Sequence, residues 1–177
     1  ETVVIIGSGT IGLLAILAAR LKGAGKIIVT DLSAHRLEMA KKLGADVVVN
    51  VASEDPVEIV KAHTGGAGAR AVIEAVGITP TVKQSLLVAR NGGSVVWIGN
   101  SDPEVTINMQ QIVTRELTVR GAYGFNQEFA DSIIAIQRGR VDALPLIEMR
   151  AALEDAPQIF DDLAKGKIDP VKVMLKV

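Results

Sequence analysis

Residues 3–31, VVIIGSGTIGLLAILAARLKGAGKIIVTD, constrain the fold more than any other part of this 177-residue sequence. A β-branched apolar run at 3–6 leads directly into Gly7-Ser8-Gly9-Thr10-Ile11-Gly12. An Ala- and Leu-rich stretch without proline follows, and a second β-branched run at 26–30 closes on Asp31. β-Branched runs of this length favour strands, and the Ala/Leu stretch between them favours a helix. Two strands joined through a helix pair in parallel, because only a long crossover returns the chain to the same end of a sheet. The opening therefore specifies one strand–helix–strand unit, with an acid where the second strand ends.

The alternation continues. Strands are expected at 3–6, 26–30, 47–50, 71–75, 94–99 and 117–121, as near-continuous apolar runs of the kind that parallel sheets bury on both faces. Helices are expected at 10–22, 34–43, 55–63, 79–89 and, shorter, near 108–115. Ser33 is placed to cap the second, and Asp55-Pro56 to start the third. Gly23, Gly44, Gly65-Gly66 and Gly92-Gly93 fall where helices must stop. This predicts an α/β fold, a doubly wound six-stranded parallel sheet with helices on both faces. The rhythm changes after about residue 124. A helix at 127–138, the run ALPLIEM, a helix around 153–165 and a strand at 171–176 read as a return segment, so the expected division is 1–124 and 125–177.

Composition narrows the function. Lys and Arg number 19 against 20 Asp and Glu, a net charge of −1, and only five residues are aromatic. That is a poor footprint for nucleic acid or anionic lipid, so neither is an expected partner. The longest apolar run, 11–19, is far short of the roughly 20 residues that span a bilayer. With no cysteine in the sequence, disulfides and cysteine metal sites are excluded within these residues, and a reducing, cytoplasmic setting is expected.

The glycine turn carries the chemistry. In Gly7-Ser8-Gly9-Thr10-Ile11-Gly12 the first glycine allows the tight turn and the second lets backbone approach a pyrophosphate. The third lets helix and strand pack closely. Free N–H groups at the helix start then favour phosphate. Asp31, 19 residues beyond Gly12, is placed to accept the adenosine ribose hydroxyls, and its charge would oppose a 2′-phosphate, so NAD is expected over NADP. Methyltransferase glycine loops usually follow an acid, whereas Ile5-Ile6 precede this one. Short-chain dehydrogenases need Lys four residues after a Tyr, and Tyr123 has Gln127 there.

Taken in order, the fingerprint, TDLSAHRL, VIEAVG, GGSVVWIG, LTVRGAYG and LEDAPQIFDDLAKGK…VKVMLKV resemble the zinc-containing medium-chain alcohol dehydrogenases. The similarity is strongest to the sorbitol (polyol) and threonine dehydrogenase branch, where Asp-Leu-Ser with an Arg four residues after the Leu is familiar. The resemblance implies a Rossmann cofactor domain and an oxidoreductase using NAD on a secondary alcohol or polyol. Carried over by position, Gly7, Gly9, Thr10, Ile11 and Gly12 would form the pyrophosphate turn. Asp31, Leu32 and Arg36 would handle the adenosine, and Val76 and Gly77 would pass near the cofactor. Ile98, Gly99, Asn100, Ala122, Tyr123 and Gly124 would meet the nicotinamide end, and Lys172 stands where some relatives carry a pyrophosphate-binding Arg.

The family's zinc ligands come from a domain that precedes the fingerprint strand, and this sequence begins at that strand. His35 and His63 lack ligand-spaced partners, so no metal or catalytic residue is expected within the 177 residues. The chain is expected to be the cofactor-binding half, inactive alone, with zinc only in the full-length protein. A non-catalytic NAD(H)-binding regulatory module and a zinc-independent medium-chain reductase are the alternatives. The strand at 117–121, a lightly charged edge without proline, is expected to pair two copies near residues 105–121, giving a homodimer or a dimer of dimers.

Overall fold

The computed structural model describes residues 1–125 and 128–177. Two compact units divide the chain, Glu1–Val141 and Asp142–Val177.

In the first unit, strands β1 (Thr2–Ile6), β2 (Lys26–Asp31), β3 (Val47–Asn50), β4 (Ala69–Glu74), β5 (Ala89–Trp97) and β6 (Thr118–Gly121) form one sheet. All neighbours are parallel, in the order β3-β2-β1-β4-β5-β6. The expected six-stranded doubly wound sheet is therefore what the chain forms. Its winding reverses between β1 and β4, where the Ile6 carbonyl accepts from Ala75 N at 2.9 Å. In sheets of this kind ligands sit outside the carboxyl ends of the strands at that switch point.

Helices α1 (Thr10–Leu21), α2 (Ala34–Lys42), α3 (Pro56–His63), α4 (Thr79–Val88), α5 (Gln110–Val113) and α6 (Glu128–Gln137) complete the unit. The expected helix at 127–138 includes Gln127, which lies outside the described residues. Alternation along the strands splits the core. Val4, Ile6, Ile28, Val49, Val72 and Val95 pack with Val60 of α3 and with Leu86 and Val88 of α4. Ile5, Ile27 and Val29, pointing the other way along the same strands, are fully buried, as are Leu13 and Ile16 of α1. Each such side chain contributes about 1.5–3 kcal/mol by leaving water, so both sheet faces hold the rim in place. The Asp55 carboxylate caps α3 by accepting from Val57 N at 2.8 Å, and Ser33 Oγ caps α2 by accepting from Arg36 N at 3.3 Å.

Two details depart from the sequence reading. β5 begins at Ala89, so Gly92-Gly93 lie inside the strand, and the β4–β5 register shifts between the Ala69–Ala89 and Ala71–Ser94 pairs. α5 is also one short turn, Gln110–Val113.

The second unit holds a 3-10 turn (Leu144–Leu146), β7 (Ile147–Ala152), a 3-10 turn (Leu153–Asp155), α7 (Ala156–Ala164) and β8 (Lys172–Lys176). β7 and β8 pair in parallel as a two-stranded sheet. The Glu148 carboxylate fixes its start by accepting from Val171 N at 2.7 Å. Among the described residues no helix is long and apolar enough to cross a membrane.

Candidate functional site

β1 ends in a turn held from both sides. Gly7 N donates to the Thr30 carbonyl of β2 at 2.8 Å, with φ at +87°, a conformation that L side chains rarely adopt. A Cβ on Gly7 would also stand 2.5 Å from Cγ2 of Val76. A Cβ on Gly12 would overlap the Gly7 carbonyl, so the helix can approach the turn only with glycine there. Gly9 is different, because a Cβ added to it would meet nothing within 4 Å. The first and third glycines are demanded by the protein itself, whereas the second faces open space.

Gly9 is the N-cap of α1, and no side chain caps it. The first helical bond runs from Leu13 N to the Gly9 carbonyl at 2.9 Å, which leaves the Ile11 and Gly12 N–H groups with no acceptor inside the helix. Such N–H groups, with the helix's partial positive charge, suit an anion.

Asp31 ends β2 beside this turn. One carboxylate oxygen accepts from Ser8 N at 2.6 Å and the other from Ser33 N at 2.8 Å. The carboxylate thereby ties the glycine turn to the start of α2, and each oxygen keeps a further lone pair. Leu32, 68% exposed, follows it on the surface, and Arg36 lies in the first turn of α2.

The turns after β4 and β5 interlock next to Gly7. A Cβ on Gly77 would overlap Gly99 and Asn100, and one on Gly99 would overlap Val76 and Gly77. The Glu74 carbonyl accepts from both Ile98 N and Gly99 N, at 2.8 and 3.0 Å. Ser101 Oγ donates to the Val76 carbonyl at 2.7 Å. The Glu74 side chain, fully buried, accepts from Val76 N at 2.9 Å and Gly77 N at 2.8 Å through Oε1. Beyond β6, Ala122 N donates to the Trp97 carbonyl at 3.0 Å, and the exposed Tyr123 and Gly124 follow. Ile11, Ile98 and Gly124 share a cavity of about 820 Å³ beside α1.

The structure thus gathers the residues read from sequence at Gly7–Gly12, Asp31–Leu32, Val76–Gly77, Ile98–Asn100 and Ala122–Gly124 along one rim. Lys172 is the first residue of β8, in the second unit. Sequence reasoning does not single out Ser8, Glu74 or Ser101. For Glu74 the available signal is an acid closing the apolar run Ala71–Ile73.

These residues fit a dinucleotide. They form a glycine turn with open room at Gly9, an uncapped helix start and a carboxylate with accepting capacity left. They do not fit zinc, since among the described residues no three His, Cys, Asp or Glu side chains gather where they could hold a metal ion.

The chain is similar to known dehydrogenases. The family described as zinc-binding dehydrogenase matches residues 10–138. Bovine sorbitol dehydrogenase is 32% identical over 176 residues, covering 98% of this chain and 49% of that protein. L-Threonine 3-dehydrogenase of Bacillus velezensis is 35% identical over 170 residues, covering 94% of this chain and 49% of its own. A Sinorhizobium meliloti 1021 protein solved bound to NADP superposes with a TM-score of 0.91 at 31% identity, over 100% of this chain and 52% of its own. The chain spans about half the length of the curated relatives it matches. With the glycine turn, the sheet order and a family match across more than half of its residues, the chain belongs to the zinc-binding dehydrogenases.

Proposed function

We propose that this chain is the NAD(H)-binding part of an oxidoreductase that moves a hydride between a secondary alcohol or polyol and NAD. The observation that carries this reading is the Asp31 carboxylate, held at the rim by Ser8 N and Ser33 N beside the open Gly9. Asp31 receives the adenosine ribose hydroxyls, each a charge-assisted bond worth about 1.5–3 kcal/mol. Leu32 and Arg36 flank the adenosine. Gly7, Gly9, Thr10, Ile11 and Gly12 take the pyrophosphate on the helix start. Val76, Gly77, Ile98, Gly99, Asn100, Ala122, Tyr123 and Gly124 line the way to the nicotinamide. A bound nicotinamide would supply the acceptor for the hydride of the carbinol carbon.

The names of the sorbitol and threonine dehydrogenase relatives support an alcohol or polyol substrate. In the full protein zinc is held by residues outside these 177, and the segment from residue 125 onward rejoins the domain that carries them. The absence of cysteine supports a cytoplasmic setting.

One observation favours a second reading. Arg36, one turn into α2, would suit a 2′-phosphate, and the Sinorhizobium relative was solved with NADP. Titration with NADH and NADPH decides between them. Tighter NADH binding is expected, with the gap narrowed by Asp31→Ser, and equal or reversed affinities refute the role given to Asp31.

The same reading includes a homodimer. β6 is an edge strand whose Thr118, Arg120 and Gly121 are exposed, and unpaired N–H and C=O groups on such an edge invite a partner. Sedimentation at micromolar concentration should give a dimer that Val119→Lys weakens. A monomer unaffected by that substitution contradicts it.

A further inference from the structure

Glu74 has no place in the reading so far, although its side chain is fully buried and acidic. A carboxylate out of water needs partners on both oxygens. Oε1 has two, the N–H groups of Val76 and Gly77, at 2.9 and 2.8 Å. Oε2 is buried with no partner among the described residues. Such a group is costly for a fold to keep, and a purely structural position at the end of an apolar run would be better filled by an apolar side chain.

What the carboxylate holds explains its retention. The two N–H groups belong to the turn whose Val76 side chain packs on Gly7 and whose Gly77 backbone meets Gly99 with no room for a Cβ. The carbonyl of the same residue accepts from Ile98 N and Gly99 N. One residue therefore fixes the turn after β4 through its side chain and the turn after β5 through its backbone. The turn after β4 stands against the Gly7 turn at the switch point, and the turn after β5 stands against the turn after β4.

We infer that Glu74 is the positioning residue of the cofactor cleft, setting the Val76–Gly77 turn against Gly7 and Gly99 so that the three turns present one surface to the dinucleotide. The inference rests on the nucleotide reading above and adds to it a residue that touches no part of the cofactor. It requires an acceptor at Oε1, and Glu74→Gln supplies one whereas Glu74→Leu does not.

The test combines amide hydrogen exchange with NADH titration on the wild-type chain, Glu74→Gln, Glu74→Leu and a core control, Val95→Ala. In the wild type and Glu74→Gln, the Val76 and Gly77 amides should exchange slowly, and NADH affinity should agree within threefold. Glu74→Leu should speed exchange at those two amides at least tenfold, leave Ala75 protected, and weaken NADH at least tenfold. Val95→Ala, though less stable, should bind NADH as the wild type does. Fast exchange at Val76 and Gly77 in the wild type overturns the inference even if Glu74→Leu does not fold. So does unchanged NADH affinity in Glu74→Leu, or a tenfold loss in Glu74→Gln. If the wild type binds neither NADH nor NADPH, the nucleotide reading itself fails. Loss of the Glu74 effect with wild-type binding intact refutes only the role of Glu74.

Discussion

The two rims of the six-stranded sheet are held by different sets of side chains. At the amino-terminal rim, guanidinium groups donate to carbonyls, and one carboxylate, Asp46, accepts from Ile27 N and from Arg20, both at 2.6 Å. Arg20 donates to the carbonyls of Gly44 and Ala24, at 2.9 and 3.1 Å, and Arg115 to those of Leu86 and Ala89. At the carboxyl-terminal rim, carboxylates accept from N–H groups, with Asp31, Asp55 and Glu74 each serving backbone within a few residues. The cause lies in the winding. Most strands start near the end of a helix, where carbonyls are free, and end near the start of the next, where N–H groups are free. Arginine therefore meets free carbonyls at the first rim, and carboxylates meet free N–H groups at the second. The amino rim is closed by the protein's own side chains. The carboxyl rim keeps an uncapped helix start at α1 and a glycine with open space before it, which is provision for a group from outside.

Glycine substitutions sharpen the contrast, and the largest effect is expected at the carboxyl rim. Gly12→Ala drives a Cβ into the Gly7 carbonyl, so the backbone of α1 must shift. A loss of at least about 3 kcal/mol, or failure to fold, is expected in urea unfolding. Gly23, at the amino end of the sheet, has φ at +80°, and a Cβ there would meet nothing within 4 Å. Gly23→Ala should cost only the left-handed conformation, about 1–2 kcal/mol. Equal losses at the two positions would break the distinction between a glycine required by close packing and one required by backbone angle.

A smaller effect tests the arginine rim by pH. Burial pushes the Asp46 carboxyl up, but the Ile27 N–H, the Arg20 hydrogen bond and the charges of Arg20 and Lys26 outweigh it, leaving the group below its usual value of 3.8. A depressed carboxyl stabilises the fold above its unfolded value and loses that contribution as pH falls through the folded one. Wild type should therefore exceed Asp46→Asn in stability at neutral pH, by under about 1 kcal/mol because the pair is partly in solvent. The gap should shrink below about pH 4. A gap that persists unchanged at pH 3 would show that Asp46 acts through packing instead of charge.

Local signals make most of the fold legible. The apolar runs of β1 to β4, the Ser33 and Asp55 caps and the glycine turn depend on residues within a few positions of one another. β7 escapes a sequence reading because IEMRAA alternates half-exposed and exposed positions without a continuous apolar run, and its partner β8 lies across a helix. The start of β5 at Ala89 is hidden for a related reason. Its pairing with Ala69 is imposed by the neighbouring strand, against two glycines that locally read as a break. At the site, the glycines and Asp31 are legible by spacing. Glu74 is not, because its function depends on two turns that meet only after the sheet has formed.

Gly9→Ala tests the central claim most directly, because the fold makes no demand for glycine there. Its φ of −67° and ψ of −175° suit alanine, and a Cβ meets nothing within 4 Å. Urea unfolding of the variant should fall below the wild type by no more than about 1 kcal/mol, the cost of alanine at an N-cap. NADH affinity should fall at least tenfold, about 1.4 kcal/mol, because the methyl group occupies the space proposed for the pyrophosphate. A folded variant that binds NADH as tightly as the wild type would contradict the account.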